Sequence, residues 1–522
     1  MLKKLHGRKL AVCLIGGAMY ALFSAFGWQA EHGGVIWAGG ALLVAALLVW
    51  PIAALLAVLL ERGYTRTLRR EKTFRAGRAF AFILACYVPM FCVAFPGSFA
   101  YDVPYQLRQV VTGAYSTHHP LLHTLALGGL LQLGRALGDI NLGAALYTAL
   151  QMALLAGCFA LTCGSIARQS GARAAKRAAV FFALYPLNMV MAVNATKDVL
   201  FGGFFALTLA LLNEIREKPS RGLALKIAAC GALAVMLRNN MAYAALVWLA
   251  ILTLGLRKAE KSAALAMLLA LAVGLCGNAA LKRATRAESG DMSEMLSWPI
   301  QQLARARLYD EERLTDAEKE AIDELMPGEA WACYDPTISD PVKFEFDTQA
   351  FRADVKKYVG VWLSVGKKCA GTYLDATMAL TYPFFYPYRE YRVSGYYVQM
   401  GMSDAYDAGW CDFDPPESRS LFPRALASLS WRFGAKGAMQ IPVVGWLFNM
   451  GVIVWTMLFF ALREIYWGRW RRFGTALLPV LLWGTFLLGP VMAGRYIYPF
   501  VCALPVLAAR PGRSVKEAER HG

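Results

Sequence analysis

The stretch VIWAGGALLVAALLVWPIAALLAVLL, residues 35–60, runs for twenty-six positions without a charged side chain. As an α-helix it would rise about 1.5 Å per residue, enough to cross the roughly 30 Å hydrocarbon core of a bilayer. Apolar runs of comparable length recur on both sides of it. Over all 522 residues, 57% are hydrophobic, only 17% are charged and the mean hydropathy is +0.40. These values describe a polytopic membrane protein and exclude a disordered chain, a fibrous repeat and a disulfide-stapled module. An outer-membrane barrel is excluded as well, because its strands would alternate apolar and polar residues over about ten positions.

The formal charge of +18 invites a nucleic-acid reading until its distribution is considered. Basic residues gather in short segments between the apolar runs: Arg62 to Arg78, Arg168 to Arg177, Arg216 to Arg221, Arg257 to Lys261, Arg469 to Arg472 and Arg510 to Arg520, with a further group near Lys3 and Lys9. That is the signature of cytoplasmic loops under the positive-inside rule, and no nucleic-acid partner is expected. The first apolar run, Leu10 to Trp28, lacks a small-residue cleavage site and reads as a retained helix in the cytoplasmic membrane.

If every basic segment is cytoplasmic, twelve spans satisfy the alternation, with both termini inside: 10–28, 35–60, 79–95, 141–165, 178–193, 199–214, 222–237, 241–256, 262–281, 438–462, 474–493 and 496–510. The run 121–137 is left out, because counting it would invert every later loop. It is expected to be an amphipathic or re-entrant helix on the outer face, carrying His123 and Arg135. The fold expected is therefore all-α: an N-terminal transmembrane module over 1–281 with a first outer loop at 96–140, a mostly helical extracytoplasmic region over 282–437, and a C-terminal transmembrane module with a cytoplasmic tail over 438–522. The middle region, between Glu288 and Glu417, holds 24 of the 36 acidic residues. Leu314-Thr315-Asp316-Ala317-Glu318 predicts a capped helix start there, and 355–380 is amphipathic enough to lie on a membrane surface. Cys333, Cys369 and Cys411 fall in the same region and leave room for one disulfide. No Cys/His spacing suggests a metal site, and no cofactor is required by any motif.

Polar groups beside apolar spans are costly, about 2.5 to 3.5 kcal/mol for a charge at a helix centre on insertion scales, so their placement is informative. Asp102, Arg108, His118 and His119 occupy the first outer loop. Asn194, Lys197 and Asp198 form one turn, Arg238, Asn239 and Asn240 another, and Arg495 precedes Tyr496. All four elements fall on the outer side of the twelve-span topology, which suggests one shared polar cavity. Simpler accounts stay open beside that one: Lys197 and Asp198 neutralising each other, Arg238 and Arg495 snorkelling to headgroups, and the two histidines fixing the turn at Pro120. A lone carboxylate, imidazoles and separated cations at the mouth of a helical bundle suit a lipid-linked sugar donor. Lys197, Arg238 and Arg495 would hold its phosphate, and Asp102 would take the acceptor's proton, with His118 and His119 orienting the acceptor or the donor oxygens.

The motifs FPGSFAYDVPYQ (95–106), STHHPLLHT (116–124), NATKDVLFG (194–202), LRNN (237–240), LSWPIQQLARA (296–306), SDPVKFEF (339–346) and GRYIYPF (494–500), in that order, resemble a family of bacterial polytopic membrane proteins. That family is related to the GT-C glycosyltransferases, which include protein O-mannosyltransferases and lipid A aminoarabinose transferases. The resemblance runs from about residue 79 to 500. It implies a GT-C-like fold, a catalytic acid in the first outer loop at Asp102, and a working surface that includes Gln301, Gln302 and Arg305, although periodicity alone reads LSWPIQQLARA as an ordinary amphipathic helix; Tyr101 and Gln106 are candidate supporting residues beside Asp102. Many members carry paired acids in that loop, whereas here Tyr101 precedes Asp102 and Val103-Pro104 follow, which weakens the case for a divalent cation.

The expectation is an inverting membrane glycosyltransferase that moves a sugar from a polyprenyl-phosphate donor to a cell-envelope glycan, lipid or protein. Two alternatives share the same features in part: a ligase or polymerase of lipid-linked polysaccharide, and a transporter or flippase of lipid-linked sugars. A transporter should show broken helices and ionisable groups near the midplane.

Overall fold

The computed structural model describes residues 2, 5–33, 39–62, 73–100, 102–254, 260–387, 400–402, 415–434, 441 and 443–510. Tyr101 and Cys411 lie outside the described residues. Among them the chain is all-helical, and the β-structure is confined to isolated bridges. The first half contains α1 (Arg8–Glu31), α2 (Gly39–Arg62), α3 (Ala76–Ala94), α4 (Val103–Thr112), α5 (Leu121–Ala136), α6 (Ile140–Ser170), α7 (Ala172–Leu184), α8 (Pro186–Ala192), α9 (Lys197–Glu217), α10 (Arg221–Leu237), α11 (Asn239–Leu254) and α12 (Lys261–Thr285). The second half contains α13 (Ser297–Tyr309), α14 (Asp316–Leu325), α15 (Asp340–Phe344), α16 (Thr348–Ala353), α17 (Val355–Lys368), α18 (Ala370–Thr381), α19 (Pro423–Gly434), α20 (Met450–Tyr466), α21 (Trp470–Leu487) and α22 (Tyr498–Ala508).

Six of these helices, α1, α2, α3, α6, α9 and α12, are long and apolar enough to cross a membrane. Two shorter apolar helices cover 239–254 and 494–508. Of the other expected spans, 222–237 falls in α10, 474–493 is helical only to Leu487 in α21, 438–462 is α-helical only from Met450 and lies partly outside the described residues, and the stretch 178–193 is divided between α7 and α8. Tyr185 sits between them in extended geometry, because Pro186 has no N–H to continue the ladder and excludes the helical region for the residue before it.

Burial sorts the helices by position. An 18-residue window of α9 is 83% buried, against 17% for α2, which places α9 at the bundle centre and α2 at its rim. The core around α9 is built by Phe201, Phe205, Phe159, Phe182, Tyr87 and Tyr498. Phe159 and Phe182 stack with centroids 4.0 Å apart. The amphipathic helix expected over 121–137 exists as α5 and lies against α6 and α4. Gly134 on α5 and Gly143 on α6 meet backbone to backbone, and a Cβ on either would overlap the facing chain.

The acidic middle region forms a second core, with Leu303, Ile322, Leu325, Val342 and Val365 buried between α13, α14, α15 and α17. Thr315 and Glu318 make the expected capping box at the start of α14. Along α17, Val355, Val359 and Leu363 stay exposed at four-residue spacing while Tyr358 and Val365 face inward. The region docks on the bundle through the end of α21, where Trp298 Nε1 donates to the Leu487 carbonyl (2.6 Å) and the Ser339 N–H donates to the Pro490 carbonyl (2.8 Å). Cys333 and Cys369 are free thiols, Cys369 buried and Cys333 exposed.

Candidate functional site

Four chain ends meet where the middle region sits on the bundle. Asp102 is the residue before α4, Lys197 opens α9, Arg238 follows α10, and Arg495 lies in a tight turn before α22. The loop carrying Asp102 is held by its backbone. The Ser98 N–H donates to the Val193 carbonyl, the Ala195 N–H donates to the Ser98 carbonyl, and the Phe99 N–H donates to the Gly401 carbonyl. Gly97 has a φ of +145° and lies against Thr148, so no side chain fits there. This is why Asp102, six residues beyond the turn at Pro96, faces α9 and the turn before α22.

The carboxylate of Asp102 receives two cations. Lys197 Nζ donates to Oδ2 at 2.9 Å, while Arg495 Nη1 and Nη2 reach Oδ2 and Oδ1 at 3.2 and 3.3 Å. His119 Nδ1 stands 3.7 Å from the same Oδ2 and 3.5 Å from Lys197 Nζ. Beneath this group, Asp198 is fully buried and pairs with Arg238, and Arg495 Nε lies 3.8 Å from its Oδ2. The Arg238 guanidinium is packed over the rings of Phe486 and Tyr496, with centroids at 4.4 and 4.5 Å. Three cations therefore face two carboxylates, leaving an excess of one positive charge in a largely buried site. Asp102 is the opening of the cluster: 22% of its side chain is accessible, against 7% for His119 and 0% for Asp198.

Burial pushes the Asp102 carboxyl up, but Arg495 and Lys197 more than offset it and hold the group well below the usual carboxylate range. His119 is driven the other way from an ordinary imidazole. Its burial, reinforced by Lys197, outweighs the pull of Asp102 and keeps the ring neutral. The site at neutral pH thus offers an anionic carboxylate and an uncharged imidazole beside the side chains of Lys197 and Arg495.

A buried polar chain supports the site from behind. Gln106 donates to Thr124 Oγ1 (3.2 Å) and its Oε1 meets His123 Nδ1 (3.1 Å); His123 Nε2 meets the Tyr147 hydroxyl (2.9 Å), which donates to Gln151 Oε1 (3.0 Å). Gln151 Nε2 in turn donates to the carbonyls of Ala192 and Asn194. The chain ties α4 and α5 to the turn that presents Lys197. Tyr147 and Gln151 were not among the sequence candidates, although two polar residues four apart within an apolar span are a readable signal of an inward polar face.

Several expectations need correction. Lys197 and Asp198 do not neutralise each other: each pairs across the bundle, because neighbouring positions on a helix point about 100° apart. Arg238 and Arg495 do not snorkel outward, being only 7% and 9% exposed. Gln301, Gln302 and Arg305 do not join Asp102. They belong to the middle region's own core, where Gln301 donates to the Asp335 carbonyl, Gln302 to Thr377 and Arg305 to the Tyr334 hydroxyl. The reason is that α13 packs its polar face against α18 and the following turns. The His118 ring stays edge-to-face with His119, centroids 4.5 Å apart, while its Nδ1 stands 4.0 Å from Glu294, which Lys343 also approaches at 2.7 Å. Asn240 donates to Thr485, whereas Asn239 is exposed. The supporting position Tyr101 lies outside the described residues. Among the described residues no group of three or more His, Cys, Asp or Glu side chains is placed to hold a metal.

One family model matches the chain over residues 110–521, and its description reads family of unknown function (DUF6020). The matched segment includes His119, Lys197, Arg238 and Arg495, and it begins eight positions after Asp102. No curated protein and no solved structure matches.

Proposed function

We propose that this chain, which belongs to the DUF6020 family of unknown function, is a membrane glycosyltransferase of GT-C type that uses a polyprenyl-phosphate sugar. The observation that carries the reading is the convergence of Lys197, Arg495 and Asp102 from three separate chain ends, with the carboxylate the most accessible of the group. In this reading the twelve-span topology holds, with the cluster facing the extracytoplasmic side of the cell membrane and an envelope glycan, lipid or protein as acceptor.

The chemistry follows from the charges. An incoming donor phosphate competes with Asp102 for Lys197 and Arg495, since both cations can bind either anion. Drawing the cations away raises the basicity of Asp102 at the moment the acceptor is bound. The acceptor oxygen attacks C1 and gives its proton to Asp102; the bond from C1 to the phosphate oxygen breaks, and the electron pair leaves with polyprenyl phosphate. Lys197 and Arg495 then neutralise the phosphate charge that develops. His119, uncharged and 3.7 Å from Asp102, orients the acceptor hydroxyl or accepts the proton in turn. A polysaccharide ligase or polymerase would use the same donor site with a longer acceptor.

A second reading is a transporter or flippase of lipid-linked sugars, favoured by the broken helix pair α7 and α8 immediately before the Lys197 turn. One experiment separates the two. Purified protein in proteoliposomes is given a radiolabelled polyprenyl-phosphate sugar and an envelope extract as acceptor. Appearance of free polyprenyl phosphate with label in the acceptor supports transfer. Movement of the intact donor between leaflets with no cleavage would discard the enzyme reading.

A further inference from the structure

The end of the bundle opposite Asp102 gathers charge for which the transferase reading has no use. Arg216 lies nineteen positions after Lys197 on the same helix, about 28 Å away at 1.5 Å per residue. That is close to the thickness of a hydrocarbon core, so the two ends of α9 reach two different membrane surfaces. At the second surface, the end of α9, the end of α11 and the start of α21 enclose a cavity of about 710 Å³.

Its polar wall is mainly cationic. Arg216, Arg469, Arg471 and Arg472 line it together with Glu217 and Glu260, an excess of two positive charges. Arg216 is 3% exposed. Its Nε donates to Glu260 at 2.8 Å, its Nη1 reaches Thr475, and its plane lies over the Trp248 ring at 5.3 Å. Among the described residues the Nη2 group is buried with no hydrogen-bond partner, and so is Nη1 of Arg472. Buried guanidinium donors are ordinarily satisfied, and two of them at one cavity mark a place for an acceptor. The α21 helix begins at this wall, so the positive end of its dipole adds to the field. Ile251, Leu252 and Leu477 supply an apolar side to the same cavity.

We propose that this cavity binds a phosphate group at the membrane surface opposite Asp102. Arg216 and Arg472 supply directed donors, and Arg469 and Arg471 surround the anion with charge. The phosphate belongs either to the headgroup of an anionic phospholipid, whose first acyl carbons would lie on Ile251 and Leu477, or to a free phosphate. The proposal is independent of any sugar transfer, since none of these residues lies at the Asp102 cluster.

The test uses the full-length protein in a neutral detergent, titrated with dioctanoyl-phosphatidylglycerol, dioctanoyl-phosphatidylcholine and inorganic phosphate, with thermal stability and tryptophan fluorescence as readouts. Saturable binding of phosphatidylglycerol at least about tenfold tighter than phosphatidylcholine is expected. Inorganic phosphate binding as tightly as phosphatidylglycerol would assign the site to a free anion, and weaker binding would assign it to a lipid. Arg472→Gln should weaken either ligand by about tenfold or more, as loss of one charge-assisted contact does. Should that variant fail to fold, the exposed Arg471→Gln should still weaken binding several-fold, more so at low salt. Absence of saturable binding, equal binding of the two lipids without phosphate binding, or unchanged affinity in a folded arginine variant would overturn the proposal.

Discussion

Lys197 and Asp198 are adjacent in the chain and belong to different ion pairs: Lys197 turns to Asp102 at 2.9 Å, and Asp198 turns to Arg238. One peptide unit at the start of α9 thereby joins the accessible part of the cluster to its buried floor. The consequences can be separated by mutation, because the two pairs differ in exposure.

Asp102→Asn should lower turnover by about a hundred- to ten-thousandfold while donor binding survives, as expected for loss of a general base with little change of shape. Single-turnover measurement with prebound donor isolates the chemical step. A near-normal rate in Asp102→Asn together with a dead His119→Ala would move the proton acceptor to histidine.

Lys197→Ala and Arg495→Ala should each weaken donor binding by roughly ten- to a hundredfold, the range for a charge-assisted contact to an anion. Each also leaves Asp102 with one cation fewer, so its carboxyl should titrate closer to the ordinary range. Donor affinity measured across pH in both variants reads the two effects together, and an unchanged affinity would remove these residues from phosphate binding.

Asp198→Asn should be mainly a stability lesion. Asp198 is fully buried and Arg238 nearly so, and removing one partner strands the other charge at a cost of about 3 to 5 kcal/mol. Replacing both at once, as Asp198→Leu with Arg238→Leu, should recover much of that loss. Unfolding of the two variants in detergent would show it, and a double variant no better than the single one would count against the pair.

Tyr147→Phe removes the hydroxyl that links His123 to Gln151 and leaves both without that partner, at about 1 to 3 kcal/mol. Because Gln151 holds the carbonyls before Lys197, hydrogen exchange should quicken over 192–197. Exchange confined to α6 would mean that the polar chain does not brace the turn.

The middle region carries its own acid sensitivity. Burial pushes the Glu318 carboxyl up, but Lys368, the Thr315 N–H and Ser364 bring it down to about 2. A depressed carboxyl contributes stability that is fully present above its unfolded value of about 4.5 and is lost as pH falls towards about 2. Melting of α14 and α17 should therefore become easier across that window in the native chain, and Glu318→Gln should flatten the dependence. A variant with an unchanged pH profile would assign the acid response to other groups.

Composition and run length alone determined that the chain is helical and membrane-like, because crossing hydrocarbon demands apolar helix of a fixed length and residues such as those of 35–60 permit nothing else. The chain also announced its helix cap at Thr315 and the position of the charged turns, since these depend on residues within one helical turn of each other. What it left undecided were the pairings. Lys197 could face its neighbour Asp198 or a partner across the bundle, and only the packing of α9 against the turn at Arg495 selects Asp102, 95 positions earlier in the chain. Gln301, Gln302 and Arg305 carry the same kinds of donors as the cluster yet are spent inside the middle region's core, as sequence position gave no means to foresee. Pro186 marks the interruption at Tyr185 in the sequence itself, although the apolar run on either side of it is continuous. Local chemistry is written in the order of residues; which distant charge meets which is set by helix rotation and depth, and those are properties of the assembled bundle.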